Sequence, residues 1–274
     1  MMKTLLSDLR DESHDLASLI MARKDANVLS RTTQFKDWTI CDILIHLHMW
    51  NEAMIRLLDD PDGFAAMATT GLQATLQGIP ARKLGRDWAE QRYGERQPEA
   101  IFTDWLDFLP VLSKRYASLE PDTRLPWVGP PMRAADSLIA RHMETWAHGQ
   151  AVYDIFGVIR KDSDRIKNIA LLGIKTYGWS FKVRGKDVPK PKPCVELLAP
   201  SGAIWCWNDP QEDNFIKGSA TEFCQVVTQT RNVEDTALEV HGAPAKAWME
   251  SAQCFAGKPE TPPAPGLRFP VKPA

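Results

Sequence analysis

Glu144 and His148 stand four residues apart in the run Glu144-Thr145-Trp146-Ala147-His148. An α-helix turns about once every 3.6 residues, so side chains at this spacing stack on one face. A carboxylate oxygen and an imidazole nitrogen placed in this way can converge on a single metal ion. A third protein ligand must then come from elsewhere in the chain, and His46 is the candidate. Two imidazoles and one carboxylate leave coordination positions open, the mark of a reactive rather than a purely structural metal.

The same spacing has a blander reading. Polar pairs at i,i+4 are common on solvent-facing helices. Glu144 would then pair with Arg141 at the surface, and His148 would be an ordinary hydrogen-bonded residue. Against this, the helix expected over Ala134 to Phe156 is apolar nearly all round. Ile139, Met143, Trp146, Ala147 and Val152 flank the strip that holds Ser137, Glu144, His148, Ala151 and Ile155. Such a helix is buried, and a buried glutamate costs several kcal/mol, roughly, unless it is paired or metal-bound.

The upstream helix offers both His46 and His48, about 200° apart around the axis, so one face cannot use both. His46 lies beside Trp50 and Leu57, at the edge of an apolar face made by Ile43, Leu47, Trp50, Met54 and Leu57. His48 lies near Glu52, where a surface i,i+4 pair is the alternative. The spacing favours His46 without excluding His48. His142 points away from Glu144, and His14 and His241 have no ligand-like neighbours and read as ordinary polar residues.

The elements that must position these residues follow from periodicity and punctuation. Leu5, Leu9, Leu16, Leu19 and Ile20 predict a first helix from Leu5 to about Asn27. A second runs from Trp38-Thr39 to about Asp59, capped by Asp37 or Thr39, and Asp60-Pro61-Asp62-Gly63 reads as its stop. A third is expected over Asp87 to Ser118, kinked or broken at Pro110 and partly loop near Pro98. Pro121 to Pro131 is a loop. The fourth helix, from Ala134 to Phe156, ends at Gly157. Four helices joined by loops predict an antiparallel bundle.

After Gly157 the pattern changes. Ile166 to Trp179 is expected as a connecting helix and Lys182 to Pro193 as a basic, proline-rich crossing, with the domain boundary between Gly157 and Pro193. The expected division is a helical domain over 1–160, a connecting helix over 161–182 and a small α+β domain over 183–274 with an irregular tail from Gly257. Within the last, Cys194 to Leu198 and Ala203 to Trp207 read as a hairpin around Pro200-Ser201-Gly202. Ser219 to Thr228 reads as a helix, Leu238 to His241 as a strand and Ala245 to Phe255 as a final helix. The fold class is α plus α+β.

Composition limits the function. The chain has 274 residues, 44% hydrophobic and 25% charged, with a net charge of −2, so general nucleic-acid binding is disfavoured. No apolar run approaches the roughly 20 residues of a membrane span. The start, MMKTLLSDLRDESHDL, lacks the apolar core of a signal peptide, and the expected location is cytoplasmic. The five cysteines are scattered with no CxxC pair, and are expected to be buried free thiols, in keeping with a reducing compartment.

Trp38-Thr39, then His46-Leu47, then Glu144-(three residues)-His148-Gly149 resemble the N-terminal domain of the mycothiol-dependent maleylpyruvate isomerases, within the wider DinB/YfiT-like metal-binding superfamily. The family pattern places its first ligand eight residues after the tryptophan, which selects His46 over His48. The resemblance implies His46, Glu144 and His148 as ligands of a divalent ion, zinc as the usual metal with nickel as the alternative, and a DinB-type four-helix bundle of a kind that often forms homodimers. It also implies a low-molecular-weight thiol as cosubstrate and a small electrophile as substrate, hence a thiol-dependent transferase or isomerase. A non-catalytic metal- or ligand-binding protein is the alternative.

Glu196-Leu197-Leu198-Ala199-Pro200-Ser201-Gly202, Trp205-(one residue)-Trp207, Gly218-Ser219-Ala220 and Trp248 resemble the second domain of a group of bacterial relatives. That domain has a sterol-carrier-like α+β architecture and is sometimes labelled with tRNA wyosine formation, a third reading that the near-neutral charge disfavours. One departure stands out. The group carries an acidic residue shortly after the histidine, in an HGQD-like run, and here the run is His148-Gly149-Gln150-Ala151. Arg184 and Arg231 are the arginines considered for the isomerase's substrate contact.

Overall fold

The first helix, α1 (Met2–Met21), buries Leu5, Leu9, Leu16 and Ile20 at the predicted spacing. The structure is a computed structural model and describes residues 1–96, 98–128 and 131–271. Position 97 of the expected third helix, positions 129 and 130 of the Pro121–Pro131 loop and positions 272–274 of the tail lie outside the described residues.

Helix α2 (Ile40–Asp59) starts on a reciprocal cap. The Thr39 hydroxyl accepts from the Asp42 backbone N–H, and the Asp42 carboxylate accepts from the Thr39 backbone N–H. Asp42 is also held by Arg86, whose Nε and Nη2 lie 2.6 and 2.8 Å from its two oxygens. Burial raises the pKa of this carboxyl, but the bonds from Arg86 and Thr39 outweigh it and hold the group below its ordinary value. Because the folded-state pKa is depressed, the contribution is complete above the unfolded value of about 4 and is lost as pH falls through the folded one. Asp42→Ala is expected to cost about 1–2 kcal/mol in urea unfolding at neutral pH. The gap between variant and wild type should shrink on acidification below pH ~4; a pH-independent gap would assign the loss to packing.

Two expectations require correction after α2. Asp60-Pro61-Asp62-Gly63 ends α2 but also starts α3 (Pro61–Leu76). The Asp60 carboxylate accepts from the Gly63 N–H, and Pro61 occupies the first helical position, where its missing N–H costs nothing. The long helix expected over Asp87 to Ser118 is two helices, α4 (Ala81–Tyr93) and α5 (Glu99–Ala117), separated at Gly94 with φ +55°. Helix α5 continues through Pro110. Two short strands, β1 (Arg124–Leu125) and β2 (Met132–Arg133), pair antiparallel ahead of α6 (Ala134–Ile155). Gly157, at φ +64°, donates to the Asp154 carbonyl and closes α6 as expected.

The chain divides into two compact units, Met1–Val152 and Tyr153–Ala274. The first is helical; the second is α+β. The second opens with a 3₁₀ turn and two helices, α7 (Lys167–Lys175) and α8 (Tyr177–Lys182), in place of the one connecting helix expected. Its sheet contains β3 (Cys194–Leu198), β4 (Ile204–Trp207), β5 (Phe215–Ser219) and β6 (Glu239–His241) in the order β4-β3-β5-β6. The predicted β3/β4 hairpin is present, with Leu198 opposite Ile204. Strand β5 lies parallel to β3 and is not among the expected elements. Val195, Leu197, Trp205 and Ile216 are buried, with Phe223 of α9 (Ala220–Val227) and Trp248 of α10 (Ala243–Met249). Helix α10 stops at Met249, short of the Phe255 expected. The tail from Gly257 to Val271 contains no regular element.

The cysteine expectation holds for Cys194, Cys224 and Cys254, which are buried. It fails for Cys206, exposed at an alternate position of edge strand β4, and for half-buried Cys41. Burial pushes the Cys41 thiol up to about 12, with the Asp42 charge adding to it. Among the described residues, no helix is long and apolar enough to cross a membrane.

Candidate metal centre

His46 sits in the second turn of α2, one turn after the Asp42 cap. Glu144 and His148 sit one turn apart on α6. The elements meet so that Nε2 of His46 lies 3.1 Å and Nε2 of His148 3.3 Å from the same Glu144 oxygen, Oε2. The two imidazole centroids are 4.6 Å apart. One ligand atom from each of the three residues falls within 4.8 Å of the others, the one such group of His, Cys, Asp and Glu found among the described residues. The side chains of His46, Glu144 and His148 expose 19, 24 and 11% of their area, so the group is partly open to solvent.

The electrostatics suit a cation. Burial alone would raise the Glu144 pKa, but the hydrogen bonds from His148 and His46 outweigh it and hold the carboxyl well below its usual range. Burial pushes His46 down to about 4, and the neighbouring His148 adds to that. At neutral pH the site therefore presents a carboxylate beside an imidazole with a free lone pair. Nδ1 of His148 is buried without a hydrogen-bond partner, so the Glu144 carboxylate at Nε2 is the group that sets the tautomer of that ring. Two imidazoles and a carboxylate fit a divalent transition metal.

Arg141 explains why the surface-pair reading fails. It is buried, and it reaches across to α2, donating to the Leu47 carbonyl at 3.1 Å and the Asn51 side chain at 3.3 Å. Burial pulls its pKa down to about 10, with the Glu144 charge acting against that fall. Arg141 therefore joins α6 to α2 beside the candidate ligands, while Glu144 turns to the histidines.

The segment before α2 supplies an aromatic wall. Phe35-Lys36-Asp37-Trp38 forms a tight turn in which Trp38 N–H donates to Phe35 C=O at 2.9 Å. Lys36 and Asp37 have φ of +50° and +57°, the left-handed conformation that a type I′ turn requires and that non-glycine residues adopt at a cost. Thr33 N–H bonds the Trp38 carbonyl at 2.7 Å, and Arg82 donates to the Asp37 carbonyl at 2.8 Å. The turn lays Trp38 flat against His148, with centroids 5.6 Å apart and planes 12° apart, and sets Phe35 edge-on to the same ring at 4.9 Å. Trp50, 6.5 Å from His46, continues the wall to Trp127 and Phe64.

The other histidines lie elsewhere. His48 is buried among the rings of Trp88, Tyr93 and Phe108 on the opposite side of α2. His142 is buried, with Nε2 3.6 Å from a carboxylate oxygen of Glu12, itself buried, a pairing absent from the sequence reading. The signal for it was a glutamate within the apolar face of α1. His241 stacks on Phe215 at 5.3 Å. Arg231 is buried and donates to both oxygens of Asp154 at 2.6 and 2.8 Å. Arg184 donates to the carbonyls of Ser180 and Glu260 and to the Gln253 side chain.

Comparison with known proteins shows the family of the chain. The family model described as the mycothiol maleylpyruvate isomerase N-terminal domain matches residues 9–153, and the chain belongs to that family. Two Mycobacterium tuberculosis proteins, from strains CDC 1551 / Oshkosh and ATCC 25618 / H37Rv and each named only as uncharacterized, are 35% identical to it over 254 residues. The match covers 93% of this chain and 96% of each relative. The crystal structure of the mycothiol-dependent maleylpyruvate isomerase shares the fold, with a TM-score of 0.54 at 13% identity over 89% of this chain and 95% of that one. A histidine-to-alanine mutant of that enzyme gives 0.55 over the same shares. A helical N-terminal domain followed by an α+β domain is therefore the fold of this chain.

Proposed function

We propose that His46, Glu144 and His148 hold a divalent metal ion, and that the protein is a metal- and thiol-dependent transferase or isomerase acting on a small electrophile. The observation that carries this reading is the convergence of both Nε2 atoms on one carboxylate oxygen, in a group whose side chains are partly exposed. The donor set suits Zn²⁺, with Ni²⁺ as the alternative. An ion held there supplies a Lewis-acid position at which a low-molecular-weight thiol is kept as thiolate near neutral pH.

The chain's own residues divide the remaining work. Glu144 is charged and offsets the positive charge of the ion. Trp38 and Phe35 fix the plane of His148, so its Nε2 faces the site. Trp50 and Trp127, both half-buried and backed by buried Phe64, offer an apolar surface on which a flat, unsaturated electrophile can lie beside the donors. The thiol is supported by membership of a family described by mycothiol dependence. Cys41 and Cys224, both raised by burial, are poor nucleophiles and do not replace it. A cytoplasmic location suits the free cysteines.

Maleylpyruvate itself is not carried over as the substrate. Arg231 is engaged by Asp154, Arg184 by backbone carbonyls and Gln253, and Ala151 has no carboxylate to orient a ligand. The test is metal analysis of protein purified without chelator, together with a conjugation assay pairing a small thiol with an α,β-unsaturated carbonyl compound. The expected result is about one divalent ion per chain, and turnover that a chelator abolishes and Zn²⁺ restores. Metal-dependent stabilisation without turnover on any electrophile would make the protein a non-catalytic metal-binding module. Metal-free protein that still turns over would sink the metal reading.

A further inference from the structure

His48 occupies the side of α2 turned away from the candidate metal ligands, and its surroundings have no part in the function proposed above. The ring is 1% exposed, yet neither nitrogen has a hydrogen-bond partner. The nearest carboxylate oxygen, Oε1 of Glu52, is 3.6 Å from Nε2, beyond hydrogen-bond length. Native proteins rarely leave a buried imidazole unsatisfied, and such a group points to a missing ligand or water.

The ring forms the floor of a pocket of about 150 Å³ between α2, α4 and α5, lined by His48, Glu52, Arg92, Asp104, Asp107 and Phe108. Three carboxylates face one guanidinium there. Arg92 is engaged by Glu52 at 2.6 Å, which leaves the balance of the pocket negative. Burial raises the Glu52 pKa, with the Asp104 charge adding to it and Arg92 acting against it. Aromatic rings surround the floor, with Phe108 at 5.5 Å and Trp88 at 5.7 Å from His48.

We propose that this pocket binds the protonated amino group of a small amine. An ammonium group brings several N–H donors, which match the His48 nitrogen and the Glu52, Asp104 and Asp107 oxygens, and aromatic faces attract cations. An anion would meet three carboxylates. A metal ion is the poorer occupant, because the cluster of imidazole and carboxylate atoms here does not converge as the His46 group does. The volume corresponds to several waters, hence to an amine bearing a short carbon chain.

The test is calorimetric titration of the full-length protein with methylammonium and with 1,4-diaminobutane, at constant ionic strength, with tetramethylammonium as a cation lacking N–H donors. Saturable binding of at least one primary amine, little or none of tetramethylammonium, and a shift of the His48 ring resonances are expected. Asp107 is an exposed rim residue, so Asp107→Asn should leave the fold intact and weaken binding about tenfold. Asp104→Asn is expected to act in the same direction. Absence of saturation with either primary amine, equal binding of tetramethylammonium, or binding indifferent to both substitutions would overturn the proposal. So would Zn²⁺ binding at this pocket in Glu144→Gln protein, displaced by neither amine.

Discussion

Glu144→Gln protein is expected to purify close to metal-free, with affinity for Zn²⁺ lowered about a hundredfold or more. The substitution keeps the shape of the side chain and removes its charge. Both imidazoles keep their positions, because Phe35 and Trp38 hold His148 and the α2 cap holds the turn that carries His46. What is lost is the anionic ligand that both Nε2 atoms approach. The consequence for stability follows from linkage. An ion present at about one hundred times its dissociation constant stabilises the native state by about 2.7 kcal/mol, and the variant should gain almost none of this. Thermal unfolding with and without added Zn²⁺ reads the difference. In the metal-free state the two proteins should differ much less, although the neutral amide of the variant no longer offsets the charge of Arg141. Equal metal content in variant and wild type would remove Glu144 from the ligand set.

Asp154→Ala is expected to destabilise the second unit by about 3–5 kcal/mol. Asp154 and Arg231 are both buried, and the guanidinium meets both carboxylate oxygens in the two-pronged geometry that only arginine supplies. Removing the carboxylate leaves a buried positive charge with the Thr230 carbonyl as a neutral partner. Most of the loss is the cost of that stranded charge rather than the worth of the pair. Urea unfolding should show a lower midpoint with an unchanged slope. Asp154→Asn, which retains one acceptor oxygen, should lose less. A loss under about 1 kcal/mol for the alanine variant would mean that water reaches the pair.

Much of the candidate site was legible because its cues are local. The Thr39 and Asp42 spacing marks the start of α2, and the i,i+4 spacing of Glu144 and His148 needs only a helix to become a shared face. The apolar surroundings of Glu144 called for a partner, and its carboxylate lies against two imidazoles. The choice between His46 and His48 was not local, since it depends on which side of α2 meets α6. The family resemblance favoured His46, and His46 is the histidine found beside Glu144. The turn at Phe35 to Trp38 was invisible for a physical reason: Lys36 and Asp37 are not the residues that ask for a left-handed backbone.

The fold errors have similar causes. Asp-Pro-Asp-Gly can end one helix or cap the next, and here it does both without a linker. Strand β5 is short and carries Gly218 at φ +140°, where an added Cβ would lie 2.9 Å from Leu238, so close packing decided the residue rather than strand propensity. The Asp154 and Arg231 pair joins residues 77 positions apart, and nothing in either neighbourhood announces it.

His46 and Glu144 are separated by 98 positions. Bringing the ends of a flexible segment of that length together costs about 4 kcal/mol of chain entropy beyond a constant, before any contact between them is made. The α6 pair can form with its own helix, but the third donor arrives only when α2 and α6 dock. An ion bound by the three would therefore belong to the end of the folding reaction and not to its nucleus, and its weight would fall on the rate at which the native state opens. On the proposed function, an ion held there would be a latch in the cell: it would lengthen the life of the helical unit once built, and leave the speed of building to the apolar faces of the helices.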